Sequence, residues 1–163
     1  MINVELSFAQ PQDVPLIIGM IRELAEYEHM AEQVTATEEI LREWLFEKKT
    51  ARVLLAKLDG ETAGYALFFE SFSTFLGKGG IYLEDLFVRP AYRGRGIGTA
   101  LLRYLAQWAG QRGCGRLEWA CLDWNRPSVD FYLSLGACPM EGWTVYRLEG
   151  ETLARMAEET EKT

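Results

Sequence analysis

Apolar residues recur along this chain with two different spacings, and the spacings predict an alternation of strands and helices. A spacing of two residues is typical of a strand with one buried face, whereas spacings of three and four are typical of an amphipathic helix. Strands are predicted over residues 4–8, 52–58, 63–70, 82–88, 117–122 and 143–148. Helices are predicted from Pro11, from Thr37, over 97–108, after Asn125 and, as a short tail, over 153–156.

The predicted order is therefore β-α-α-β-β-β-α-β-α-β-(α). Asp59-Gly60 is a strong hairpin signal between the second and third strands. Strands that first pair as a meander and then alternate with helices predict an α/β (α+β) fold, in which one mixed sheet is covered by helices on both faces. With 163 residues, 48% hydrophobic, the chain is expected to form a single domain over 1–163.

The most informative stretch runs from the strand at 82–88 through a basic, glycine-rich loop at 93–98 into the helix that follows. Glycines allow the loop amides to converge on a phosphate, and the positive end of the helix dipole adds to that field. Thr99 and Ala100 follow Gly98, so the Lys-Ser/Thr of a Walker loop is missing. Thr99 also stands where a dinucleotide fingerprint needs its third glycine. The simpler alternative is a glycine-rich connection with solvated arginines.

Charge is unevenly distributed along a chain of net charge −7. Four arginines surround the glycine loop: Arg89, Arg93, Arg95 and Arg103. Acidic residues dominate the segment between positions 23 and 47, where Glu39, Glu43 and Glu47 are expected to stack on one helical face. That face is either a solvated surface or one that attracts a cation. The acidic pI near 4.9 argues against general nucleic-acid binding.

Cysteine usage and hydropathy predict a cytoplasmic protein. Cys114, Cys121 and Cys138 are an odd set without a C-x-x-C motif, which is typical of reduced thiols. No apolar run reaches the ~20 residues that span a bilayer, and the first residues lack the features of a signal peptide. His29 is the single histidine, so no metal site is expected.

Two carboxylates stand in the apolar strand 82–88. Strict alternation places Glu84 on one face with Tyr82, Leu86 and Val88, and Asp85 on the other with its apolar neighbours Leu83 and Phe87. An unpaired buried charge is costly, so each carboxylate either has a structural partner or takes part in function. Tyr132, on the helix after Asn125, is either a core aromatic residue or one whose hydroxyl takes part in function.

The pattern Arg93-x-x-Gly96-x-Gly98 resembles the pyrophosphate loop of the GNAT superfamily of acetyl-CoA-dependent N-acetyltransferases. More narrowly, the chain resembles spermidine/spermine (diamine) acetyltransferases and the similar thialysine acetyltransferases. The segments that carry this resemblance are 24–28, 32–34, 82–85, 92–98, 124–128 and 141–143. The connections at Asp59-Gly60 and at 138–141 are shorter than in the animal polyamine enzymes.

The resemblance implies a role for each matching residue. Tyr132 would be the catalytic acid, and Tyr27, Glu28, Glu84 and Glu141 would face the amine. Because an alkylamine arrives protonated, Glu84 is also the candidate catalytic residue that accepts its proton, directly or through a water. The residues implied to hold acetyl-CoA are Leu86, Phe87, Val88, Arg93, Gly94, Arg95, Gly96, Ile97, Gly98, Thr99, Asn125 and Ser128. A homodimer is expected by analogy, because subunits of the family exchange sheet edges.

Three functions follow from these observations. The first, favoured by the acidic residues, is acetylation of a polyamine or diamine. The second is acetylation of a small ω-amino amino acid such as thialysine, whose α-carboxylate would need a cation such as Arg22 or Arg126. The third is a non-catalytic acetyl-CoA-binding module, which would need neither Tyr132 nor Glu84.

Overall fold

The computed structural model describes residues 3–159 and divides into two compact units between Ala120 and Cys121. The elements of the first unit are β1 (Val4–Phe8), α1 (Val14–Tyr27), α2 (Glu38–Arg42), β2 (Arg52–Leu58), β3 (Glu61–Ser73), β4 (Lys78–Val88), α3 (Ile97–Gln111) and β5 (Leu117–Trp119). The second unit contains α4 (Arg126–Ser134) and α5 (Gly150–Glu158). No helix within 3–159 combines the length and the apolar character needed to cross a membrane.

The first unit is built on a five-stranded sheet with the strand order β1-β2-β3-β4-β5. The first four strands are antiparallel neighbours, and β5 pairs in parallel with β4. The meander begins at the predicted hairpin, where Leu58 lies opposite Glu61. The two turn residues both have positive φ, 52° at Asp59 and 81° at Gly60, as a tight primed turn requires. The mixed sheet predicted from the sequence is confirmed.

Helices cover both faces of this sheet, as predicted. On one face, Ile17 and Met20 of α1 pack in a buried cluster with Tyr65 and Phe87 of the sheet. On the other face, Trp108 of α3 contacts Phe8 at 5.2 Å and Phe68 at 6.1 Å between ring centroids. Burial of these apolar faces removes water from both sides of the central strands and is the main source of stability.

A β-bulge in β4 changes which residues share a face. Leu83 lies opposite Phe68, whereas Asp85 lies opposite Leu67, so Glu84 has no partner in the β3 register. Phe68 contacts α3, and Leu67 packs against the cluster under α1. Leu83 and Asp85 therefore point to opposite faces, and the prediction from strict alternation is wrong at this point, because the extra residue shifts the alternation by one.

The second predicted helix also departs from regular geometry. Its N-cap is as expected, because the Thr37 hydroxyl accepts a hydrogen bond of 3.2 Å from the Ile40 amide. From Glu43 to Glu47, however, the chain forms a π-helix. This wider turn breaks the four-residue repeat after Glu43, so the predicted stacking is kept between Glu39 and Glu43 but does not extend to Glu47.

The C-terminal predictions are only partly correct. Residues 143–148 form no strand within the described chain, because a strand requires a partner for its backbone, and Val145 and Tyr146 are 88% and 91% exposed. The order after α4 is therefore α5 alone. The strand predicted over 117–122 ends at Trp119. No residue of α4 is fully buried, although its apolar composition predicted burial.

Candidate active site

The glycine loop has the backbone geometry of an anion site. Gly94 and Gly96 have φ values of 75° and 80°, in the left-handed region that favours glycine. Gly96 is the N-cap residue of α3, whose fifteen residues align their dipoles toward the loop. A Cβ built at either glycine meets no protein atom within 4 Å, so the loop backbone is open to a ligand. Gly98 and Thr99 lie in the first turn of α3, directly after the buried Ile97. These features fit a diphosphate.

Two of the four arginines near the loop make hydrogen bonds inside the first unit. Arg89 bonds the Glu23 carboxylate at 3.1 Å and the Thr62 carbonyl at 3.0 Å. Arg93 donates from Nε to the Val88 carbonyl at 2.9 Å. Arg95 lies 5.9 Å from the Tyr92 ring and is exposed. The arginines near the loop therefore differ in their contacts with the rest of the first unit.

The loop lies at the end of a strand with an open edge. Strand β5 pairs with β4 only from Ile81 to Leu83. Beyond Leu83, the side of β4 away from β3 has no partner strand in the first unit. The predicted residues Leu86, Phe87 and Val88 lie in this stretch, with Phe87 buried and the other two half-buried. Backbone groups along such an edge are available to pair with an extended ligand.

A carboxylate cluster lies on the α1 face beside this edge. Asp85 accepts a hydrogen bond of 2.9 Å from the hydroxyl of Tyr65, which is fully buried. Burial raises the pKa of Asp85 to about 6; the Tyr65 hydrogen bond opposes this shift, and the charges of Glu84 and Glu28 add to it. Burial also raises the pKa of Glu28, at the C-terminus of α1. Glu84 itself, in the bulge, is exposed. Glu28, Glu84 and Asp85 are thus close enough to interact through their charges.

The predicted residues of the second unit are placed separately. Asn125 is buried and is the N-cap residue of α4, without a side-chain capping bond, while Ser128 and Tyr132 lie on the same helix and are half-buried. Because these three positions are separated by three and four residues, they share one helix face. Glu141 is exposed in the connection between α4 and α5.

Sequence reasoning missed the Tyr65–Asp85 pair. Asp85 was recognised as needing a partner, but no local signal identifies a tyrosine twenty residues earlier as that partner. The two become close because the β3–β4 register places Tyr65 opposite Phe87 and Leu67 opposite Asp85.

Comparison with known proteins decides the family. The model of the acetyltransferase (GNAT) family matches residues 18–137. The chain is 41% identical over 161 residues to thialysine N-epsilon-acetyltransferase of Bos taurus, a match that covers 91% of this chain and 94% of the relative. The chain belongs to the GNAT acetyltransferase family.

One further relative and one solved structure are also similar to this chain. The chain is 31% identical over 164 residues to spermidine/spermine N(1)-acetyltransferase-like protein 1 of Homo sapiens, covering 94% of this chain and 24% of that longer protein. An integron cassette protein from the mobile metagenome of V. cholerae has the same fold, with a TM-score of 0.81 at 29% identity, covering 98% of this chain and all of that one. The protein is thus an N-acetyltransferase acting on amines, and GNAT enzymes take their acetyl group from acetyl-CoA.

Proposed function

We propose that this GNAT enzyme acetylates the ω-amine of a small amino acid of the thialysine type. The observation that carries the proposal is one arrangement in the first unit: an open anion loop at the start of α3 adjoins a strand edge and a carboxylate cluster at the end of α1. The loop suits the diphosphate of acetyl-CoA, and the carboxylates suit an ammonium group. The near full-length similarity to a thialysine acetyltransferase favours the amino acid over a polyamine.

The coenzyme would lie along the loop and the open edge of β4. In the proposal, the amides of the loop, Gly94–Thr99, bind the diphosphate, and Arg95 adds charge from the exposed side. The backbone of Leu86–Val88 holds the acyl end of acetyl-CoA, and Asn125 and Ser128 of α4 contribute further contacts. Backbone N–H groups aimed at the acyl carbonyl would stabilise the oxyanion of a tetrahedral intermediate.

The amine would bind at the carboxylates and lose a proton there. An alkylammonium has a pKa near 10.4, so it arrives charged and must be deprotonated before attack. We assign Glu84, directly or through a water, as the acceptor of that proton, with Tyr27, Glu28 and Glu141 around the substrate. The pair of electrons on the amine nitrogen then attacks the acyl carbon, and no covalent enzyme intermediate is formed.

The departing sulfur needs a proton or a hydrogen bond. A thiol has a pKa near 8.5, and a tyrosine hydroxyl remains protonated at neutral pH, so Tyr132 can donate to the developing thiolate. Tyr132 is the proposed general acid. A catalytically idle coenzyme-binding module would have no use for this residue, nor for Glu84.

Three broader expectations belong to the same proposal. The chain forms one functional acetyltransferase domain over 1–163 and acts in the cytoplasm, where its three cysteines remain reduced. It works as a homodimer, and the exposed apolar residues of 143–148 support an association between copies.

The substrate class is tested by comparing kcat/KM for thialysine, a short diamine and spermidine at low and moderate salt. We expect thialysine to exceed the other two by an order of magnitude or more, with little dependence on salt. If the enzyme used its whole acidic surface to bind a polyamine, spermidine would instead have the highest kcat/KM. That kcat/KM would fall as salt screens the surface.

A matched variant sharpens this test. Arg22 is exposed on α1, and we assign it to the α-carboxylate of the substrate. Arg22→Gln should raise KM for thialysine about tenfold or more, as expected for loss of a charge-assisted hydrogen bond, and leave the diamine unaffected because it has no carboxylate. Arg126, already paired with Asp130 at 3.0 Å, is the comparison position. Equal effects on both amines would contradict the assignment of Arg22.

A further inference from the structure

Arg93 connects the coenzyme loop to the amine side of the proposed site. It stands at the start of the loop, directly after the short 3-10 turn Pro90–Tyr92. Its Nε donates to the carbonyl of Val88, the last residue of β4. Its guanidinium also lies over the ring of Tyr27, with 4.7 Å between the guanidinium carbon and the ring centroid. One side chain therefore contacts the ends of β4 and α1.

A second arginine connects the same two segments one turn closer to the N-terminus of α1. Arg89, four residues before Arg93, is paired with Glu23, which is four residues before Tyr27. The C-terminal half of α1 is thus attached twice to the segment 89–93 that leads into the glycine loop. Since Glu28 follows Tyr27 directly and caps α1, these attachments fix the part of the helix that carries the proposed amine ligands.

The contacts of Arg93 leave it able to meet an anion at the same time. A guanidinium has five N–H donors, and the bond to Val88 uses one of them, while an attraction between the cation and the Tyr27 ring requires none. The remaining donors lie at the far end of the group, where a phosphate can be received. A bound phosphate would then order the guanidinium and, through it, the Tyr27 ring.

We propose that Arg93 is a positioning residue that couples coenzyme binding at the glycine loop to the order and amine affinity of the C-terminal end of α1. The identity of the amine rests on the proposed function, whereas the effect of the coenzyme on the helix does not. Coupling between two binding sites is reciprocal, so the amine must tighten coenzyme binding by the factor by which the coenzyme tightens amine binding.

Hydrogen exchange of residues 24–30, with and without saturating coenzyme A, tests the coupling without an amine. In the wild type we expect coenzyme A to slow exchange of these amides about threefold or more, as a partly exposed cation–π contact allows. Tyr27→Leu, which leaves the loop intact, should still bind coenzyme A but lose this protection. Tyr27→Phe keeps the ring and should retain it. Protection that persists in Tyr27→Leu would overturn the proposal.

Calorimetry with thialysine supplies the second readout. The wild-type affinity for thialysine should rise about fivefold or more with coenzyme A present, the lower range of typical coupling between sites. Arg93→Lys keeps the charge but loses the planar face and the Nε geometry, so this ratio should fall toward one. A weaker coenzyme affinity in Arg93→Lys with the ratio unchanged would make Arg93 an anion ligand only. If thialysine does not bind to any form while coenzyme A still protects 24–30, the substrate assignment fails and the coupling stands.

Discussion

Gly96 meets two requirements of the coenzyme loop, a positive φ and open space beside the backbone. Its φ of 80° strains any residue with a Cβ, and a β-branched side chain there would project into the open space where the diphosphate is proposed to lie. We predict that Gly96→Val abolishes measurable coenzyme A binding in a calorimetric titration. A residue with a Cβ at this φ is strained by about 1–3 kcal/mol. If the loop changed conformation to relieve this strain, coenzyme A binding would be weakened as well.

The control for Gly96→Val is Gly110→Ala. Gly110 lies in α3 without positive φ, and a Cβ there also meets nothing within 4 Å. This variant should bind coenzyme A normally. Unchanged affinity in Gly96→Val, with the fold intact by circular dichroism, would remove the loop from the coenzyme site.

Asp85 makes stability depend on pH in a defined direction. Its pKa is raised from 3.8 to about 6, mainly by burial, so the native state holds a proton that the unfolded chain has already released between these values. Stability attributable to this group is therefore greatest below pH 4 and falls as pH rises toward 6. The full loss is on the order of 3 kcal/mol, since one pKa unit corresponds to about 1.4 kcal/mol.

Asp85→Asn removes the titration and keeps an oxygen acceptor for the Tyr65 hydroxyl. We predict that urea unfolding shows the variant to be more stable than the wild type above pH 6, with the difference shrinking as pH falls to 4. Glu5→Gln, which removes an exposed carboxylate from β1, is the matched control. A difference between Asp85→Asn and wild type that is constant across this range would mean that Asp85 does not titrate as described.

Helix α4 presents three of the predicted functional residues on one face, and Tyr132 is the one whose loss should affect chemistry alone. Tyr132→Phe keeps the ring and removes the hydroxyl. We predict that the single-turnover rate falls by roughly 10²–10⁴ while coenzyme A affinity is nearly unchanged, the range expected for loss of a general acid. Tyr146→Phe, at an exposed tyrosine, should leave the rate as it is. Loss of folding in Tyr132→Phe would instead make the hydroxyl structural.

For the whole molecule, the exposed apolar segment 143–148 leads to a prediction about assembly. Sedimentation should give twice the 18.6 kDa of one chain. Val145→Lys should shift the protein toward the monomer, because a charge would have to be buried in the interface, whereas Val145→Thr keeps the β-branched shape and should remain dimeric. A wild-type monomer at micromolar concentration would refute the homodimer.

Local chemistry was sufficient to predict much of this protein from its sequence. The bounds of β2 were predicted to the residue, because its ends are set by apolar periodicity and by the turn at Asp59-Gly60. The glycine loop followed from residues that are adjacent in sequence, and its left-handed glycines are a backbone requirement that only glycine meets easily. The GNAT assignment rests on the same short segments, and the family match confirms it.

Tertiary structure decided what depends on residues far apart in the chain. The bulge at Glu84 is set by the pairing of β4 with β3, and it reverses the face on which Leu83 lies relative to Asp85. Asp85 acquires its partner, Tyr65, from the same register, and Arg93 meets Tyr27 because α1 packs against the sheet. Periodicity counts residues along one strand or helix, so it cannot contain this information. The sequence therefore determined the class of chemistry, while long-range packing fixed which side chains meet around it.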